Sequence, residues 1–206
     1  MNFSGKALLT AAAVALIAPA GAAFAPAAMA QAADPAAGTI QSLNTGILSI
    51  MRAGGAAGQA GRARLIAPVV DRAFDIPLMT RLAVGPGWTG IAPRDQAALV
   101  AAFRAYTIAR YARNFDGFSG ERITIAPQVE TRGGDKLVRT SLISPGSQPE
   151  SLNYRLRQSG GEWKVIDVYY RSAISQLATQ RSDFASVLAK GGAPALVSHL
   201  NRLAAR

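Results

Sequence analysis

The chain predicts an α+β domain in which a four-stranded antiparallel, twisted sheet is wrapped by N- and C-terminal helices. Three observations carry this prediction. Apolar residues recur at helical spacing from Ile40 to about residue 115, the period then drops to two between residues 121 and 170, and helical spacing returns from Ile174 onward. Breaks rich in Gly, Ser and Pro separate the four period-two runs, and turns this short make neighbouring strands antiparallel.

Residues 1–30 read as a secretory signal. Lys6 gives the positive start, Ala7 to Ile17 a short apolar core, and Ala28-Met29-Ala30 a small-x-small cleavage site, so the mature chain is expected from Gln31. That apolar core is shorter than the roughly 20 residues a spanning helix needs. Residues 31–39 are expected as a flexible leader and residues 40–206 as a single domain.

Ile40, Leu43, Ile47, Ile50 and Met51 place a first amphipathic helix, and the run GGAAGQAG at 54–61 reads as a linker. A second helix is expected over 62–74, burying Leu65, Ile66, Val69 and Val70. A third starts at about Pro77 and stops at the Gly85-Pro86-Gly87 breaker. Pro93 opens the longest helical pattern, with Leu99, Phe103, Tyr106, Thr107 and Tyr111 on one face. The strands are expected over 121–129, 136–143, 150–158 and 162–170. In the third, Leu152, Tyr154 and Leu156 point one way, Asn153, Arg155 and Arg157 the other. Ile174, Leu177, Ala178, Phe184, Ala185 and Leu188 form a last stripe, which stops at Gly191-Gly192. Pro194 then starts a helix through Leu196, Val197, Leu200 and Leu203.

Composition excludes several chemistries. The chain has no cysteine and one histidine, His199, which leaves no thiol nucleophile and no zinc-type ligand set, so neither metal nor cofactor is expected. No GxSxG, Walker or dinucleotide fingerprint occurs. The net charge of +10 suits an anionic lipid surface, an acidic partner, or a basic surface with no specific partner. Nucleic acid does not fit an exported chain whose arginines are scattered.

Asp167 lies in VIDVYY with apolar neighbours on both sides. A buried carboxylate there is one half of an ion pair or, with Tyr154, Tyr169 or Tyr170 as oxyanion partner, the base of an isomerase. Structural pairing is the preferred reading. Arg110 and Arg181 interrupt apolar helix faces, and each suits a carboxylate such as Asp167 or a lipid phosphate, or covers apolar surface with its stem. The preferred expectation is a binding protein with no catalytic set.

Four segments carry a family resemblance. FDIPLMTRLAVGPGW (74–88), QAALVAAFRAYTIARYARNFDGFSG (96–120), NYRLRQSGGEWKVIDV (153–168) and QRSDFASVLAKGGAPALVSHL (180–200) resemble, in this order, the MlaC family of periplasmic lipid-binding proteins. The resemblance implies an NTF2-like sheet wrapped by helices around a pocket for acyl chains. It also implies a periplasmic monomer that shuttles phospholipid between an outer-membrane-associated complex and an inner-membrane ABC transporter complex. The segment SAISQLATQRSDF (172–184) departs from the phospholipid carriers, which tend to carry a tyrosine before the Arg-Ser pair where this chain has Thr179-Gln180. It is closer to the HpnM branch associated with hopanoid transport. Pocket walls are expected from Leu82, Trp88, Phe103, Tyr106, Val138, Leu142, Tyr154, Leu156, Val168, Tyr170, Leu177 and Phe184, with plain core packing as the competing reading for each.

Overall fold

The computed structural model describes residues 34–171 and 173–206, so the signal segment and the first residues of the leader lie outside it. The first element, α1 (Pro35–Ala73), starts earlier than expected. Asp34 explains the start, since its Oδ1 accepts from the Ala36 N–H at 2.9 Å and its Oδ2 from Lys136 Nζ at 2.6 Å. Residues 35–39 of the expected leader are therefore helical, with Pro35 in the first turn.

Helix α1 is a hairpin of two helices. Gly54 (φ 52°, ψ −147°) and Gly58 (φ 60°, ψ 174°) break it in a backbone region essentially reserved for glycine. Past the break the chain folds back, so that a Cβ on Gly46 would stand 2.7 Å from Val69 Cγ1. In a straight helix those residues would lie about 35 Å apart. Buried Arg62 joins the turn to the end of a later helix (Pro93–Asn114), donating to the Gly54 carbonyl at 2.7 Å and the Ala112 carbonyl at 2.8 Å. Its charge thus sits where two helical segments end with unpaired carbonyls. In the returning half Ile66 and Val70 are buried, whereas Leu65, expected inside, is 50% exposed because it lies off the stripe that faces the first half.

Asp75 caps α2 (Ile76–Val84), accepting from the Leu78 N–H at 3.0 Å, while its own N–H bonds the Val165 carbonyl at 2.9 Å. A 3₁₀ turn (Gly85–Gly90) and α3 (Pro93–Asn114) follow. The sheet consists of β1 (Arg122–Ile125), β2 (Glu130–Arg132), β3 (Asp135–Val138), β4 (Thr140–Ile143), β5 (Glu150–Ser159), β6 (Glu162–Tyr170) and the short β7 (Ile174–Ser175). Every pairing between named strands is antiparallel. β1 pairs β4 and β2 pairs β3. β5 lies between these pairs and β6. β1 covers only the start of the first expected strand, β2 lies beyond its expected end, and the second is interrupted at Arg139. The sheet therefore has seven strands where four were expected.

Helix α4 (Gln176–Ala204) breaks at Gly191 and Gly192, as the two helical runs in the sequence required. Gln176 meets Arg110, and the Leu203 carbonyl accepts from Arg113 at 3.5 Å. Twenty-seven residues of straight helix would separate Gln176 from Leu203 by about 40 Å, yet both touch neighbouring turns of α3, so α4 also folds back. The core joins the inner face of the sheet (Val138, Tyr154, Leu156, Val165) to α1 (Ile40, Leu43, Ile47, Ile66), α3 (Leu99, Phe103) and α4 (Phe184, Leu196, Leu200).

Candidate functional site

Two hollows lie on opposite faces of strands β5 and β6. The inner one is a cleft of about 450 Å³ between α3, the sheet and the start of α4. Phe74, Met79, Phe103, Tyr106, Tyr111, Phe115, Leu142, Leu152, Val168 and Tyr170 give it an apolar wall. The aromatic rings brace one another: Phe74 meets Tyr111 edge-on at 5.6 Å between centroids, and Phe103 meets Phe184 edge-on at 6.2 Å. Tyr154 lies behind Tyr111, close enough for their phenol groups to interact. Burial pushes the Tyr111 phenol up to about 12, against the lowering effect of Tyr154. Burial, with Tyr111 alongside, pushes Tyr154 well above its ordinary value. The tyrosines therefore stay neutral at any physiological pH and bring no charge into the apolar cleft.

The polar lining residues are Thr107, Arg110 and Asn114 on α3, Glu150 on β5, and Gln176 and Gln180 on α4. Arg110 of α3 donates to Gln176 Oε1, and Gln180 follows one turn along α4. The Tyr170 hydroxyl reaches Glu150 Oε2 at 3.4 Å. The Thr107 hydroxyl is already used, bonding the Phe103 carbonyl at 2.8 Å.

The outer groove, about 560 Å³, has another character. Arg155, Arg157, Ile166, Asp167, Ser175, Leu177, Arg181 and Leu82 line it. A β-bulge produces this set. Tyr154 pairs Val168 and Arg155 pairs Asp167, but Leu156 pairs Val165, leaving Ile166 as the extra residue. Ile166 and Asp167 can then both face outward while Val165 and Val168 both face the core side. Without the bulge, Val165 and Val168 would point to opposite faces.

Asp167, read from the sequence as half of an ion pair or a base, is neither paired to an arginine nor open to a substrate in the cleft. It is 4% exposed and accepts from Ser175 Oγ at 2.6 Å, the Leu177 N–H at 3.0 Å and the Val168 N–H at 2.8 Å. Ser175 in turn accepts from the Ala178 N–H at 2.9 Å and caps α4. Asp167 is thus the anchor that ties the α4 N-terminus to β6, favoured there by the helix dipole. None of Tyr154, Tyr169 and Tyr170 bonds it. Arg181 is also not where its stripe suggested. It is exposed, with its guanidinium packed against Gly85, where a Cβ would meet Nε at 2.8 Å. The stripe that does turn inward is Gln180, Phe184 and Leu188, whereas Leu177 and Arg181, one turn apart, both fall on the flank of the outer groove.

Of the twelve expected wall residues, Phe103, Tyr106, Leu142, Val168 and Tyr170 line the cleft together with Arg110. Leu82 and Leu177 line the outer groove. Val138, Tyr154, Leu156 and Phe184 are packed core at 3% exposure or less, in one cluster with residues of α1 and α3. Trp88 is half-buried against the core on the 3₁₀ turn, and its carbonyl accepts from Gln96 Nε2 at 2.9 Å. The sequence reading missed Phe74, Met79, Tyr111, Phe115, Leu152, Gln176 and Gln180 as lining residues. Gln176, Gln180 and Phe184 at intervals of four were the available signal. Among the described residues no cluster of three potential metal ligands occurs, and no helix is long and apolar enough to cross a membrane.

A sheet and folded-back helices around a largely apolar cleft define a class of α+β pocket proteins. A family model described as MlaC protein matches residues 41–202, and the chain belongs to the MlaC family. Among solved structures it is similar to a phospholipid-binding protein from Ralstonia solanacearum in complex with a phospholipid. The TM-score is 0.70 at 24% identity, over 84% of this chain and 98% of the other, and the likeness shows a shared fold. No curated protein matches.

Proposed function

We propose that this protein is a periplasmic lipid carrier that holds the apolar part of a phospholipid in the cleft between α3 and the sheet. The observation that carries this reading is the cleft itself: a mostly apolar hollow of about 450 Å³ with Arg110 among its polar lining groups. That volume falls within the range of about 300–1,000 Å³ usual for ligand pockets. Burying a methylene contributes about 0.8 kcal/mol, so a chain of about 15 carbons gains on the order of 10 kcal/mol before the costs of ordering it. Arg110 stands at the rim, where a guanidinium fork suits a phosphate. Membership of the MlaC family and the phospholipid in the Ralstonia relative support the same ligand class. The secretory pattern of residues 1–30 supports export, and residues 31–206 would then be the mature carrier.

In this reading the carrier works as a monomer, receiving and delivering lipid at an inner-membrane ABC transporter complex and an outer-membrane-associated complex. A hopanoid is the second reading, favoured by Thr179-Gln180 in place of the tyrosine of the phospholipid carriers. The test is lipid extraction and mass spectrometry of protein purified from the periplasm without detergent, followed by reloading from vesicles. One lipid per chain is expected. Protein that arrives empty and takes up none from vesicles overturns the carrier reading.

A further inference from the structure

Gln180 is an unusual neighbour for an acyl chain. It lines the cleft, is only 8% exposed, and its Oε1 has no hydrogen-bond partner. A buried polar atom left unsatisfied opposes folding, so its retention calls for a physical reason. The other buried polar side chain of the lining, Thr107, bonds the Phe103 carbonyl.

Its place on α4 says what would satisfy it. Gln176, Gln180 and Phe184 share one helix face at intervals of four residues, about 6 Å apart along the axis. Gln176 stands at the rim with Arg110, and Phe184 packs into the core against Phe103. Gln180 therefore marks a depth about one helical turn inside the cationic rim, where headgroup gives way to apolar tail. We infer that Gln180 selects an amphiphile carrying a hydroxyl about one helical turn inside the group held at Arg110. The inference rests on the lipid-carrier reading and narrows its ligand class.

A hydroxyl fits better than an ester. The amide oxygen needs a donor, and a half-turn about the last side-chain bond exchanges its oxygen and nitrogen. A hydroxyl both donates and accepts, so it satisfies the amide in either orientation. An ester only accepts and leaves Oε1 orphaned. In the empty cleft a water can serve the same oxygen. A ligand hydroxyl replaces that water, whereas an ether of the same shape displaces it without making its hydrogen bond.

The test uses delipidated full-length protein and two probes, 1-palmitoyl lysophosphatidate with its free 2-hydroxyl and the matching 2-O-methyl ether. Each is titrated by calorimetry below its micelle concentration. The hydroxyl probe is expected to bind about tenfold tighter, and Gln180→Leu should bind both probes equally. Equal binding to the unmodified protein, as with a retained bridging water, overturns the inference and leaves the carrier reading standing. A preference that survives in Gln180→Leu also overturns it. Failure of both probes to bind overturns the two readings together. Gln180→Met replaces the leucine variant if the latter does not fold, and the comparison on unmodified protein needs no variant.

Discussion

The inner cleft and the outer groove share two strands and differ little in size, about 450 against 560 Å³. Their chemistry has opposite purposes. On the outside, the charged groups of the strands are occupied with the protein itself. Arg157 donates to Asp135 at 2.6 and 2.9 Å, Arg155 Nε donates to the same carboxylate at 2.6 Å, and Asp167 caps α4. On the inside, the strands present Leu142, Leu152, Val168 and Tyr170 to open space, with an arginine and an unpartnered amide on the far wall. Volume alone would favour the outer groove. What separates the two is that the strands present charged groups engaged with the protein to the outer groove and mainly apolar side chains to the inner cleft.

The largest expected effect breaks this contrast directly. Val168→Glu places a carboxylate among apolar walls, where an unpaired charge is strongly disfavoured, and should reduce lipid binding by roughly a hundredfold or more. Ala185→Glu, in the outer groove, should leave lipid content unchanged. Lipid per chain by mass spectrometry reads both, and equal losses in the two variants would erase the distinction between the hollows.

A second pair sharpens the boundary between cleft and core. Sequence alternation put Leu156 and Val168 on the same inward face, and both were expected as wall residues. Leu156 is fully buried in the core, whereas Val168 meets the cleft. Leu156→Trp must push neighbours from their rotamers and should cost about 1–3 kcal/mol, lowering the melting temperature by several degrees. Val168→Phe adds atoms where lipid would lie, so the empty protein should melt nearly as before while lipid content falls. Equal destabilisation of the empty protein by the two would make Val168 core.

Asp167 tests the outer face. Asp167→Asn loses charge-assisted bonds at the α4 N-terminus and should cost about 2 kcal/mol. For a chain of this size that lowers the melting temperature by roughly 4–8 °C. Lipid per folded chain should stay the same. Turnover of a small carbonyl substrate that vanishes with unchanged melting would instead make Asp167 a base.

Much of the fold was legible because its determinants are local. Helical period, strand alternation and the breaks at Gly54, Gly58, Gly191 and Gly192 are written in neighbouring residues. The glycine-rich run marked where α1 breaks, but not that its second half folds back on the first. The site was less legible, because its determinants are relations between distant segments. The bulge at Ile166 lets Val165 and Val168 face the same side, and no alternation rule announces it. Which inward residues meet the cleft and which join the packed core depends on where the helices lie over the sheet. Arg181 and Arg110 look alike in sequence, yet a small shift of phase along α4 puts Arg181 outside on Gly85. The orphaned oxygen of Gln180 is visible only once every neighbour has been placed.

The smallest effect concerns acid, and it also separates the two faces. Asp135 is 2% exposed, and its carboxyl is held below the ordinary 3.8: the Arg157 hydrogen bond lowers it most, burial opposes this, and Arg155 lowers it further. The folded state therefore binds this proton less readily than the unfolded chain does. The resulting stability is fully present above the unfolded value and is lost as pH falls through the lower, folded one. Asp135→Asn keeps a hydrogen-bonding group but loses the charge, and both arginines remain partly in water, so the cost near pH 7 should be about 1 kcal/mol. That corresponds to roughly 2–4 °C in melting temperature. The gap between native and variant should then narrow as pH drops below 3.8, since the native carboxyl becomes neutral as well. Asp34, Asp71 and Glu130 are also held low by basic partners, so the difference between the proteins, not the acid slope of either, is the measurement. Lipid content at neutral pH should be the same in both, because the pair faces away from the cleft. A gap that stays constant into acid would mean that Asp135 contributes through packing and not through its charge.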